Sequence, residues 1–103
     1  MTPPVTLADV RVQIDAVDRR LVRLLAERQR LVEQAAAIKG LPDAVHDPVR
    51  VAQVFEKVHA TAAAAGLSPA IAGPIWQGLI ACCTFHQITW LSRTKISSRC
   101  PHQ

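Results

Sequence analysis

Apolar side chains recur along the first 38 residues at steps of three and four, with one interruption at position 28. The positions are Leu7, Val10, Ile14, Val17, Leu21, Leu24, Leu31, Ala35 and Ile38. They fall on one side of an α-helix in the heptad pattern by which helices pair, and we call them the apolar seam. Thr6 and Asp9 form a capping box at its start, and Gly40 ends the pattern. The sequence therefore predicts a first helix from about Thr6 to Lys39.

Two further helices are predicted from similar start and stop signals. Asp47-Pro48 places a capping carboxylate before a proline at the first helical position, and Gly66 provides a left-handed end. The apolar stripe of this second helix is Val51, Val54, Phe55, Val58 and Ala62. Ser68-Pro69 begins a third helix that we expect to end near Leu91, with Gly73-Pro74 as a candidate kink.

The length of the first helix predicts an oligomer. Its roughly 33 residues make a rod of about 50 Å, whereas a compact domain of 103 residues is roughly 33 Å across. The seam then has to pack on something else, and a second copy of the chain is the simplest candidate. We predict an all-α, three-helix subunit in an intertwined homodimer, with a helical domain over residues 1–91 and a flexible polar tail over 92–103.

Composition narrows the class of protein. The formal net charge is +4, which suits an acidic metabolite and is weak evidence for nucleic acid. The three cysteines, two of them adjacent, lack disulfide or zinc spacing, so neither a metal nor another cofactor is expected. We see neither a signal peptide nor a membrane-spanning run, and we expect a cytoplasmic protein that binds no membrane.

Arg28 is the residue that breaks the seam. A buried arginine needs a partner, because an unpaired buried charge is costly. It could reach the edge of the seam, pair across a dimer, or bind an anionic ligand. Lys39 lies eleven residues later and returns to within about 20° of the same face, roughly 16 Å along the axis. Arg11 lies about 25 Å from Arg28, so both can serve one small ligand only if Arg11 comes from a partner subunit.

Four residues on the later helices complete the polar inventory. Arg50 in the first turn of its helix is unfavourably placed for the helix dipole, although an ordinary solvated arginine is equally compatible. Asp47 is explained by capping. Gln87 falls on the largely apolar face of helix three and needs hydrogen-bond partners there. Cys83 is more typical of a small core residue than of a nucleophile, and no histidine is placed by sequence to activate it.

Taken together, these residues resemble the helical chorismate mutases. The resemblance rests on Leu7 to Asp18 with Arg11 inside it, Leu24-Leu25-Ala26-Glu27-Arg28, Lys39, Asp47-Pro48-Val49-Arg50, Gly66-Leu67 and Gln87. It covers about residues 5–91 and preserves both order and spacing. It implies an intertwined dimer with two sites that each borrow an arginine, and a pericyclic rearrangement of chorismate to prephenate.

The resemblance also implies a role for each site residue. Arg11 of the partner subunit and Arg28 would bind the carboxylates of the substrate, with Arg50 in support. Lys39 and Gln87 would donate hydrogen bonds to the ether oxygen of the breaking bond. The remaining three substrate-binding positions are Asp47, near the ring hydroxyl, Val51, directly after Arg50, and Cys83, where the family often has serine.

Two alternatives stay open. The residue after Arg50 is usually glutamate in the family but is Val51 here. The Arg-Val-Ala run from Arg50 and the segment Gln87-Ile88-Thr89-Trp90 resemble isochorismate–pyruvate lyase, a relative on the same scaffold. A non-catalytic helical dimer, with its arginines as surface charges or phosphate contacts, is the alternative outside enzymes.

Overall fold

The described residues form three α-helices. The computed structural model describes residues 6–40 and 47–99, and the side chains of these up to residue 93. The helices are α1 (Leu7–Lys39), α2 (Pro48–Ala65) and α3 (Pro69–Arg99), and the described ranges contain no strand. The predicted all-helical, three-helix subunit is thus confirmed. The chain divides into two compact units, the first ending at Leu31 and the second beginning at Val32.

The start of α1 is fixed by the predicted capping box. The amide of Thr6 donates to Oδ2 of Asp9 at 3.2 Å, and the amide of Asp9 donates to Oγ1 of Thr6 at 3.1 Å. These reciprocal bonds satisfy two amides that the first helical turn would otherwise leave without partners. From there α1 continues for 33 residues, which corresponds to about 50 Å.

The apolar seam of the first unit is exposed. Its side chains range from 37% exposed at Val10 to 63% exposed at Leu7. None of the described residues of this unit is buried. Burial of apolar surface contributes about 25 cal/mol per Å². Contact of this seam with another apolar surface would therefore stabilise the helix substantially.

In the second unit, α2 and α3 form an antiparallel pair. Oδ1 of Asp47 accepts from the amide of Arg50 at 3.1 Å and caps α2, while Gly66 ends it in the left-handed region at φ +77°. Oγ of Ser68 then accepts from the amide of Ala70 at 3.2 Å at the start of α3. The predicted boundaries from Asp47 to Pro69 are confirmed.

The short turn at Leu67 sets the register of this pair. Both helices rise by about 1.5 Å per residue, so residues equally far from the turn lie at about the same height. Val58 and Trp76, each nine positions from Leu67, accordingly line one apolar groove of about 320 Å³. The groove therefore confirms that α2 and α3 pack in the register that the turn dictates.

The last two turns of α1 pack on α3. Ala36 is fully buried against Leu91, with Trp90 packed beside them. The seam residues of this segment, Ala35 and Ile38, are exposed, and Ile38 is 86% exposed. Within the second unit, the seam thus faces away from α3 and stays available to another surface.

The third helix is longer than predicted. We expected it to end near Leu91, but α3 continues to Arg99, so that prediction is wrong. No glycine or proline occurs between these residues, and backbone hydrogen bonding can therefore continue even though the apolar periodicity has stopped. Pro74 lies inside α3, which is continuous through it. The predicted loop residues 41–46 and the chain end from residue 100 lie outside the described ranges.

Gly66 provides a test of the turn that sets the register. A β-carbon there would meet no heavy atom within 4 Å, so the cost of a substitution comes from the left-handed backbone. We expect Gly66→Ala to lower the free energy of unfolding by about 1 kcal/mol in chemical denaturation. Gly66→Asn is the matched control and should lose less, since asparagine tolerates this conformation better. Equal stability of Gly66→Ala and the parent would contradict the assigned backbone conformation.

Candidate functional site

The register of α2 and α3 brings four of the predicted site residues to one end of the second unit. Val51 and Cys83 lie equally far along the chain from Leu67, and so do Asp47 and Gln87. Each pair therefore lies at about the same height on the two packed helices. All four residues are half-buried, as expected for side chains that flank a packed helical interface.

Lys39 reaches the same end from α1. In the second unit, Glu33 and Ala36 of α1 contact His86 and Leu91 of α3 in that order, so these segments run roughly parallel. By this register, Lys39 lies only roughly 8 Å above the height of Gln87. Helical side chains lean toward the N-terminus, which directs the exposed Lys39 side chain back toward that height.

Arg50 completes the set within the second unit. It is exposed, and its backbone amide is the donor that the capping carboxylate of Asp47 binds. Asp47 is therefore already engaged in capping, as predicted. A positive side chain at the start of α2 adds to the positive end of the helix dipole, so this region favours an anion.

Arg11 and Arg28 both belong to the first unit. They lie about 25 Å apart along the axis of α1. Arg11 is exposed, whereas Arg28 is half-buried among mostly exposed neighbours. The structure does not bring these two arginines together within one chain, because a helix keeps them at that separation.

The hydrogen-bond donors among the predicted site residues are the cationic arginines and Lys39, and the amide of Gln87. No group of three His, Cys, Asp or Glu residues in the described part of the chain is placed to bind a metal ion. Cys82 and Cys83 form no disulfide within the described residues, and His86 contacts Glu33. No helix within residues 6–40 or 47–99 is long and apolar enough to cross a membrane. The arrangement can bind and orient an anion and can donate hydrogen bonds to developing negative charge.

Comparison with known families agrees with this inventory. The model of the type II chorismate mutase family matches residues 10–88. The chain belongs to the type II chorismate mutase family. The matched range contains all eight predicted site positions, so the expected fold and the candidate site lie inside the family domain.

A chorismate mutase from Methanocaldococcus jannaschii is similar in sequence. It is 34% identical to this chain over 55 residues, which cover 50% of this chain and 54% of the relative. The chain thus matches this curated relative over about half of the relative's length. The similarity adds a named enzyme to the family match, while residue roles have to be argued from this chain.

One contact in the type II chorismate mutase domain was missed by the sequence reasoning. Nε2 of His86 lies 2.6 Å from Oε2 of Glu33, and the two residues are 53 positions apart. No local spacing signals their contact, because it depends on how the end of α1 packs against α3.

Proposed function

We propose that this chain is a chorismate mutase that converts chorismate to prephenate. The proposal is supported chiefly by the match of residues 10–88 to the type II chorismate mutase family, and by the helix register that puts Lys39, Gln87, Asp47 and Arg50 near one end of the second unit. A basic formal charge of +4 also suits a dianionic substrate.

The proposed site binds the two carboxylates of chorismate through arginines. Guanidinium groups match carboxylates with paired, charge-assisted hydrogen bonds. Arg28 of one subunit and Arg11 of its partner take this role, and Arg50 adds positive potential. Asp47 lies toward the ring hydroxyl, while Cys83 supplies a small side chain at a position where the family often has serine.

Lys39 and Gln87 act on the bond that breaks. The rearrangement is pericyclic, so it needs no nucleophile and no proton transfer. It needs the substrate held in a folded conformation in which the reacting carbons meet, which positioning supplies. It also needs donors at the ether oxygen, where negative charge develops in the transition state. An ammonium and an amide preorganised on two packed helices meet that requirement.

The proposed assembly is an intertwined homodimer. One observation supports it: the apolar seam of α1 is exposed along its length, with Ile38 86% exposed. A second copy would cover it with a matching seam, which is the self-complementary contact of a two-fold dimer. It would also bring Arg11 to a site that its own chain cannot reach. The cytoplasmic location stays a prediction.

Val51 favours a second candidate function. A valine cannot contact a substrate hydroxyl as the usual glutamate of the family does. The half-buried Val51 lies at the height of Cys83 beside the proposed site. An apolar side chain at that point suits isochorismate–pyruvate lyase, which uses the same scaffold on an isomer of chorismate.

Incubation with each substrate separates these functions. We expect chorismate to yield prephenate and isochorismate to yield little salicylate and pyruvate, with products followed by chromatography. Conversion of isochorismate in preference to chorismate would favour the lyase. If neither substrate reacts and a bicyclic transition-state analogue does not bind, a non-catalytic helical dimer is the better interpretation.

A shared site predicts complementation between inactive chains. The parent should sediment as a folded dimer at low micromolar concentration. Arg11→Ala and Arg28→Ala should each be nearly inactive, yet regain activity after co-refolding. In the heterodimer one site then carries both changes and the other carries neither.

Two results would contradict this arrangement. A well-folded monomer would exclude the intertwined dimer. Confirmed heterodimers without recovered activity would show that Arg11 does not act across the interface. The single variants refolded alone are the control for incomplete exchange.

The donors to the ether oxygen predict losses in turnover rather than in affinity alone. Lys39→Ala should reduce kcat at least a hundredfold, since losing one preorganised donor typically costs about 10²–10³ in rate.

Gln87→Glu should be nearly inactive at neutral pH, because a carboxylate repels the developing charge, and should recover in acid as it becomes protonated. The parent should depend weakly on pH over that range. If Gln87→Glu has the rate and pH profile of the parent, Gln87 does not donate to the ether oxygen.

A further inference from the structure

We propose that Glu33 and His86 form a positioning pair that sets the orientation of Gln87 relative to α1. The inference rests on the proposed function, since it concerns the alignment of that same site. Neither residue is assigned to substrate contact. Their role is to fix how the helix that carries Gln87 sits against the helix that carries Lys39.

The pair is a short polar contact between the two helices. The Nε2–Oε2 distance is 2.6 Å, and the side chains of His86 and Glu33 are 39% and 21% exposed. It lies beside the apolar contact of Ala36 with Leu91 and Trp90. The contact of α1 with α3 therefore includes a directional bond beside a small apolar patch.

The two parts of this contact constrain different motions. Ala36 presents a single methyl group, which allows α3 to rotate or slide at little cost, since dispersion contacts are not directional. A hydrogen bond weakens steeply when its distance or angle changes, and one to a carboxylate is stronger when the donor is charged. The bond between Glu33 and His86 thus supplies the angular restraint that the methyl group lacks.

Gln87 follows His86 directly in α3, so any rotation of that helix moves both side chains. A rotation of about 10° displaces a side-chain tip about 6 Å from the helix axis by about 1 Å. A misplacement of that size can reduce a reaction rate by up to about a hundredfold. Lys39 is six residues beyond Glu33 on α1, so the pair ties together the two helices that carry the proposed donors.

The test measures kcat and KM of pair variants in the full-length protein. Glu33→Ala and His86→Ala should each lower kcat for chorismate about tenfold while changing KM less than about twofold, since the carboxylate contacts remain. The double alanine variant should be no slower than either single one. Exchanging the partners, with Glu33→His and His86→Glu in one chain, should restore most of kcat, whereas each of these changes alone should not.

Controls separate a positioning role from a general loss of structure. Glu56→Ala and His59→Ala remove the same side-chain types from exposed positions of α2 and should leave kcat unchanged. Helical circular dichroism monitors folding, and sedimentation monitors assembly. If the alanine variants unfold, the proposal is tested with the chain that carries both Glu33→His and His86→Glu. Additive losses, or an exchanged pair as slow as the singles, would overturn the positioning role. A parent that converts neither chorismate nor isochorismate would instead overturn the proposed function.

Discussion

One physical requirement dominates this structure: the apolar seam of α1 is exposed and has to be buried against another surface. A helix of 33 residues presents its seam over about 50 Å, and the seam residues of both units remain exposed. Their burial would contribute about 25 cal/mol per Å², and a copy of the same helix presents a seam of matching period. In the proposed dimer, this requirement also places Arg11 where a site can use it. Assembly and substrate binding would then arise from a single helix.

A second constraint, the register of the hairpin, organises the rest of the site. The left-handed Gly66 and the capped start at Ser68 leave a turn so short that the heights of residues on α2 and α3 are determined by counting. Residues near the start of α2 and near positions 83–87 of α3 therefore lie at about the same height along the two helices. Asp47 both caps α2 and fixes the position of Arg50, because its carboxylate accepts from the backbone amide of Arg50.

These constraints explain which features the sequence predicts. Helix boundaries from Thr6 to Pro69 depend on capping groups, prolines and glycines that act within four residues, and all of them are confirmed. The end of α3 at Arg99 was missed, because a helix can continue beyond the point where its apolar periodicity stops. The contact of Glu33 with His86 was missed for the opposite reason, since it depends on tertiary packing between distant segments.

Arg28 shows how the two uses of α1 conflict. The heptad rule calls for an apolar residue at this position, and the substitution of an arginine removes apolar burial from the middle of the seam. A half-buried guanidinium also needs compensation, because its desolvation is unfavourable. A helix selected for pairing alone would have leucine or isoleucine there. In the proposed dimer, the proposed anion-binding role would account for this loss of apolar burial, since sites of function are where sequences depart from the rules of folding. Within the apolar seam, the position least favourable for helix pairing is thus the one to which we assign anion binding.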